Sequence, residues 1–200
     1  MYTRRLVFLF SLLIVFMSSY GQCKYASKSF VKRQSKLLSI NIQAWPQVRF
    51  IFDDPYINRT QFIANFFNDE NNNFYFTFYY NRDNTYPFVI LEDQKLVINF
   101  ENDLKVTLSS YRNFEWKPNP LAIQPCINHI RAFYKIDKEQ VEIFARNPLL
   151  NFQIYFTSEK NISNTFEDED GKFFKLAMKT DKTQTSLIEP ASCILQSISK

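Results

Sequence analysis

The sequence predicts a mainly β protein, an antiparallel β-sandwich carrying a short helix after Asp137 and a C-terminal helix. Three observations predict it. Aromatic residues make up 18% of the chain, with 22 Phe and 11 Tyr, and such side chains fit a half-buried pleated surface. Apolar and polar residues alternate in short runs, the period of a strand with one buried face. Brief polar segments rich in Asn and Asp separate those runs, as in a meander of hairpins.

The elements follow in order. Residues 1–21 have the parts of a cleaved export signal. Arg4 and Arg5 precede an apolar run from Leu6 to Met17, and Ser19 and Gly21 supply small residues before the cut. A retained span needs about 20 apolar residues, so no stable membrane span is expected after cleavage. The mature chain is expected to begin at Gln22 in a secreted or periplasmic location. The alternative is an outer-membrane lipoprotein anchored through Cys23. Residues 22–36 form a basic arm with Lys24, Lys28, Lys32 and Lys36 at every fourth position. A helix there would align like charges on one face, and no apolar face opposes them. A solvated arm is therefore expected, followed by one domain over residues 37–200.

Strand signals begin after Leu37. Gln47–Phe52 is short and apolar, and Asp53-Asp54-Pro55 ends it. Gln61–Phe67 is apolar without a decided period. Phe74–Tyr80 alternates Phe with Tyr and Thr, which predicts a strand with Phe inward. Phe88–Leu91, Leu96–Phe100 and Leu104–Leu108 continue the meander. Asn113–Pro125 holds Pro118, Pro120 and Pro125, which do not suit a central ladder. It is expected to be a long loop between sheets. Ile130–Ile136 alternates again. Asp137 and Gln140 have the spacing of a capping box, opening a helix that carries Val141, Phe144 and Ala145 inward and stops before Pro148. Phe152–Phe156 and Phe173–Met178 are strands flanking a polar excursion. Leu187, Ala191, Ile194, Leu195 and Ile198 recur at helical spacing, and Pro190 either starts or bends that helix.

Composition excludes several chemistries. The chain has two glycines, and Gly21 leaves with the signal. Phosphate-cradling loops and nucleophile elbows need more. One histidine, His129, leaves little for a zinc site or a hydrolytic triad. Loss of Arg4 and Arg5 lowers the formal charge from +4 to +2, which makes no case for nucleic acid. No cofactor, no metal site and no catalytic residue is predicted.

The layout from Phe52 onward carries a resemblance. F-D-D-P-Y (Phe52–Tyr56) leads into aromatic strands. F-Y-K-I-D-K-E-Q-V-E-I-F-A (Phe133–Ala145) and N-P-L-L-N-F-Q-I-Y-F-T (Asn147–Thr157) follow, and a C-terminal helix with a cysteine closes the chain. This resembles a group of small secreted proteins of Bacteroidetes bacteria with no assigned function. In that group the stretch reads Y-x-[IL]-[ST]-x-E-Q. Here Asp137 replaces the Ser or Thr, and Gln153 stands where a basic residue is expected. The resemblance implies export and no catalytic site.

Four features are candidate sites. Phe114 and Trp116 in the Pro-rich loop form a possible aromatic platform for a sugar or peptide, against the ordinary role of filling a core. Asp53 and Asp54 offer carboxylates for hydrolysis, although strand neighbours point to opposite faces. Glu167–Asp170 is the densest acidic run but lacks the spacing of a calcium loop. The cysteines Cys23, Cys126 and Cys193 enter an oxidising space. A Cys126–Cys193 bridge is favoured, because Cys23 lies in the arm; unpaired buried thiols are the alternative. The expected function is a non-enzymatic binding or structural module for an unknown extracytoplasmic ligand or protein. The alternatives are a carboxylate-dependent hydrolase of glycan or peptide, and an inhibitor or immunity-type partner protein.

Overall fold

A computed structural model describes residues 23, 26–38, 41–45, 47–54, 57–83, 87–118, 127–162 and 165–198. Residues 1–21, read above as an expected export signal, lie outside the described residues, as does Cys126. Helices are α1 (Lys28–Leu38), α2 (Lys138–Arg146), α3 (Asp181–Gln184) and α4 (Ile188–Ile198). Strands are β1 (Ile42–Ala44), β2 (Val48–Asp54), β3 (Ile57–Asp69), β4 (Phe74–Asp83), β5 (Val89–Ile90), β6 (Lys95–Phe100), β7 (Lys105–Ser109), β8 (Phe114–Glu115), β9 (Lys117–Pro118), β10 (Ile127–Ile136), β11 (Leu149–Tyr155), β12 (Phe166–Asp168) and β13 (Gly171–Ala177). Among the described residues no helix is long and apolar enough to cross a membrane.

The chain is mainly β, as the alternation predicts, and its sheets are antiparallel. The first sheet has six strands in the order β1-β3-β4-β10-β9, with β2 also paired to β3. β1 and β2 lie end to end along one side of β3, since Ala44 opposes Phe67 and Val48 opposes Ala64. They amount to one bent edge strand. Trp45 N–H still donates to Phe66 O at the bend, 3.2 Å away. The second sheet has five strands in the order β12-β13-β11-β6-β7. The β5–β8 ribbon and a bridge between Ser110 and Tyr134 join the two sheets at one corner.

The inner faces meet through phenylalanines. Phe152 of β11 packs 4.6 Å from Phe62 and 6.1 Å from Phe76, centroid to centroid, and meets Phe50 edge-on at 6.0 Å. Tyr80 lies 5.5 Å from Phe174. Phe144 of α2 closes one end, 5.1 Å from Phe66 and 4.9 Å from Phe100. Such pairs each add about 0.5–1.5 kcal/mol beyond the area they bury.

The capping box forms as its spacing predicts. Gln140 N–H donates to Asp137 Oδ1 at 2.7 Å, and Asp137 N–H donates to Gln140 Oε1 at 3.0 Å. Pro190 is the third residue of α4, where a missing N–H leaves no bond unmade. It starts the helix rather than bending it. Leu187, Ala191 and Ile194 bury against the body, with α4 lying on α2 and β3.

Three expectations need correction. Gln61–Phe67 is the middle of the longest strand. Its period is hidden because both faces are covered: Phe62, Ala64 and Phe66 are buried, and so are Asn65 and Phe67 on the other side. The Asn113–Pro125 segment is not all loop, since β8 and β9 form within it and Pro118 pairs only with β10. Residues 28–36 are not a solvated arm. They lie in α1, which presents Lys28, Lys32 and Lys36 outward and packs Val31 against the core.

Candidate functional site

The cross-strand register builds a patch on the outer face of the first sheet. Gln61, Asn81 and His129 stand side by side across β3, β4 and β10. Ile63, Tyr79 and Arg131 form the next row, with Arg49 of β2 at its end. The rows after these are sealed. Asn65 donates to Trp45 O at 2.6 Å, Thr77 donates to Ala132 O at 2.7 Å, and Phe67, Phe133 and Phe114 pack ring to ring. The first two rows stay half-buried at all six central positions. Half-exposed aromatic and cationic groups on a rigid sheet are what a binding surface is made of.

Tyr79 is the centre of the patch. His129 stacks on it at 5.2 Å, and the Arg131 guanidinium sits 5.5 Å from the same ring centroid. Burial pushes the Tyr79 phenol up, partly opposed by the positive Arg131. Burial also lowers Arg131; Tyr79 opposes that effect, and the like charge of Arg33 on α1 adds to it. The guanidinium stays charged at any ordinary pH. The ion pairs among the described residues are Lys95–Asp170 and Arg146–Glu142, and neither reaches Arg131. Asn81 Oδ1, one row away, is buried without a hydrogen-bond partner.

A groove lies between α1 and β1. Ala26, Val31, Ile42 and Ala44 make its apolar part, and Lys28 and Lys32 its cationic rim, around a volume of about 450 Å³. That is within the usual range of small-molecule sites, about 300–1,000 Å³. Ala26 N–H donates to Ala44 O at 2.8 Å, so the segment before α1 runs along β1.

Two of the sequence candidates, the aromatic pair and the cysteine pairing, are placed otherwise than expected. Phe114 and Trp116 are buried at 8% exposure each and offer no open platform. Trp116 packs 4.3 Å from Phe88, and Phe114 lies 5.5 Å from Phe133. A loop crossing between sheets must cover their apolar rims, and its aromatics do that. The bridge joins Cys23 to Cys193, with Cα atoms 5.5 Å apart. The expected Cys126–Cys193 pairing is therefore corrected, because a half-cystine has one partner. The segment before α1 is not solvated: Cys23, Ala26 and Val31 pack against the core, and Cys23 reaches α4 through the bridge. Asp53 and Asp54 end β2, with side chains outside those described. Glu167–Asp170 forms the β12–β13 hairpin, in which Asp168 accepts from Tyr155 Oη at 2.6 Å and Asp170 pairs with Lys95. Among the described residues no group of three or more His, Cys, Asp and Glu gathers.

Sequence reasoning missed Tyr79 and Arg131. Each sits at a polar position of an alternating strand, which reads as a solvent-facing side chain. Only the pairing of β4 with β10 sets them side by side. Comparison with protein-family models, curated proteins and solved structures finds no match to this chain.

Proposed function

We propose that the protein is an exported extracytoplasmic binding module, whose ligand sits on the outer face of the first sheet. The carrying observation is the half-buried Tyr79–Arg131–His129 cluster. A cation desolvated beside an aromatic ring, with no carboxylate paired to it among the described residues, is costly to keep for structure alone. A ligand that completes its hydrogen bonds offsets that cost.

The location reading rests on the residue 1–21 signal and on the Cys23–Cys193 bridge. Disulfides persist in oxidising compartments. A sulfur held in a disulfide cannot also carry a lipid thioether, so the bridge favours a secreted or periplasmic chain over a Cys23 lipoprotein. The resemblance to secreted Bacteroidetes proteins agrees with the same location.

The test is an array of glycans and peptides probed with the labelled mature protein. We expect saturable retention with no change in ligand mass, reduced at least tenfold by Tyr79→Ala. A ligand shortened by hydrolysis, with the activity lost in Asp53→Asn or Asp54→Asn, would replace binding by the hydrolase reading.

A further inference from the structure

We propose that Arg131, shouldered by Tyr79 and His129, forms an oxyanion-binding subsite that takes a carboxylate or phosphate group of the ligand. This rests on the binding-module reading and names the chemistry that the face would recognise.

The argument starts from donors. A guanidinium has five N–H groups in one plane. Among the described residues no acceptor bonds to those of Arg131, and the Tyr79 ring lies against it. The Tyr79 ring engages the guanidinium from 5.5 Å. A stacked guanidinium uses its face on the ring and keeps its edge for a partner in plane. Carboxylate and phosphate oxygens match that edge with two parallel hydrogen bonds.

Charge points the same way. Arg33 stands on α1, a helix with four basic residues and no acid. The like charge of Arg33 disfavours the charged form of Arg131. An anion bound at Arg131 offsets that repulsion. The neighbouring row sets Asn81 and His129 beside these residues. Tyr79, Ile63 and His129 add a flat apolar shoulder for whatever carries the anion. The chemistry therefore selects an oxyanion on a ligand with an apolar or planar neighbour.

The experiment follows the Arg131 side-chain Nε–H signal by NMR in the purified protein. Inorganic phosphate, acetate and chloride are titrated separately at constant ionic strength. We expect a saturable shift with phosphate or with acetate and none with chloride, and the anion that acts names the source of the oxygens. The apparent affinity, read from shifts at Asn81 and His129, should fall at least tenfold in Arg131→Gln and about fivefold in Arg131→Lys. The lysine keeps the charge and loses the two-pronged edge. Arg33→Gln, an exposed helix position, should weaken it about threefold and carries the test if the Arg131 variants do not fold. Lys105→Gln on β7 should change nothing. Equal responses to all three anions, or an Arg131→Gln protein that titrates like the original, would overturn the subsite. If an array ligand is retained by a protein with no oxyanion response, the subsite falls and the module stands. If the oxyanion response persists with no retained ligand, the module falls and the subsite stands.

Discussion

Phe152 shows how one side chain holds two sheets. It is fully buried and touches rings from β2, β3 and β4 at once. Truncation leaves a cavity that three neighbours cannot all collapse into. We predict that Phe152→Ala costs about 3–5 kcal/mol, which lowers the thermal midpoint by roughly 10 °C for a domain this size. Calorimetry checks it, and a loss under about 1 kcal/mol would mean that the sheets do not meet there. A second prediction concerns Tyr75, whose phenol is pushed up to about 12 by burial first, then by the Asp69 charge and hydrogen bond. Its folded value exceeds the unfolded one. The stability it contributes is therefore intact below pH ~10 and lost as pH rises through about 12. Denaturant melts should weaken over that window, and less so in Tyr75→Phe, which keeps the ring. The inward phenylalanines were legible, because period two marks them within a single strand. Tyr79 and Arg131 were not, because their meeting depends on a register between strands far apart in the chain.

At the level of elements, local signals were read well and tethered ones poorly. The α2 helix announces itself through Asp137 and Gln140, and the reciprocal cap forms. Removing the cap by Asp137→Ala should cost about 1 kcal/mol, measured as a drop in midpoint of a few degrees. An unchanged midpoint would show that packing of Val141 and Phe144 alone sets the helix. α1 is the opposite case. Eleven residues are marginal for a helix in water, and its lysines repel one another. Phe30, Val31, Leu37 and Leu38 recur at the spacing of one helical face, but so short a segment needs a surface to pack on. What holds it is tertiary: Val31 on the core, the Ala26–Ala44 hydrogen bond and the bridge at Cys23. We therefore predict that reduction frees this segment before the sandwich opens. Limited trypsin digestion of the reduced protein should cut first at Lys28, Lys32 or Arg33, while the oxidised protein resists there. Equal cutting in both forms would mean that α1 is held without the bridge.

The whole molecule is a sandwich fastened near its two ends. Cys23 stands just beyond the expected mature start and Cys193 lies in the last helix, 170 residues apart in sequence. Closing so long a loop removes much of the freedom of the unfolded chain. The chain-entropy account puts the gain near 5 kcal/mol for a loop of this length. That is a large share of an ordinary net stability of about 5–15 kcal/mol. A gain of that size should matter to the whole fold and not only to its first helix. Two measurements follow. The protein from its native cell, unfolded without reductant, should show one reactive thiol, since three cysteines less one bridge leave Cys126. Cys23→Ser with Cys193→Ser should lower the midpoint by roughly 10 °C or more, at about 2–4 °C per kcal/mol for this size. Cys126→Ser should leave the bridge and most of the stability intact. Three reactive thiols in protein taken from its native cell would contradict both the bridge and the proposed oxidising location. One thiol with an unchanged midpoint in the double variant would keep the bridge and show that sheet packing alone holds the ends.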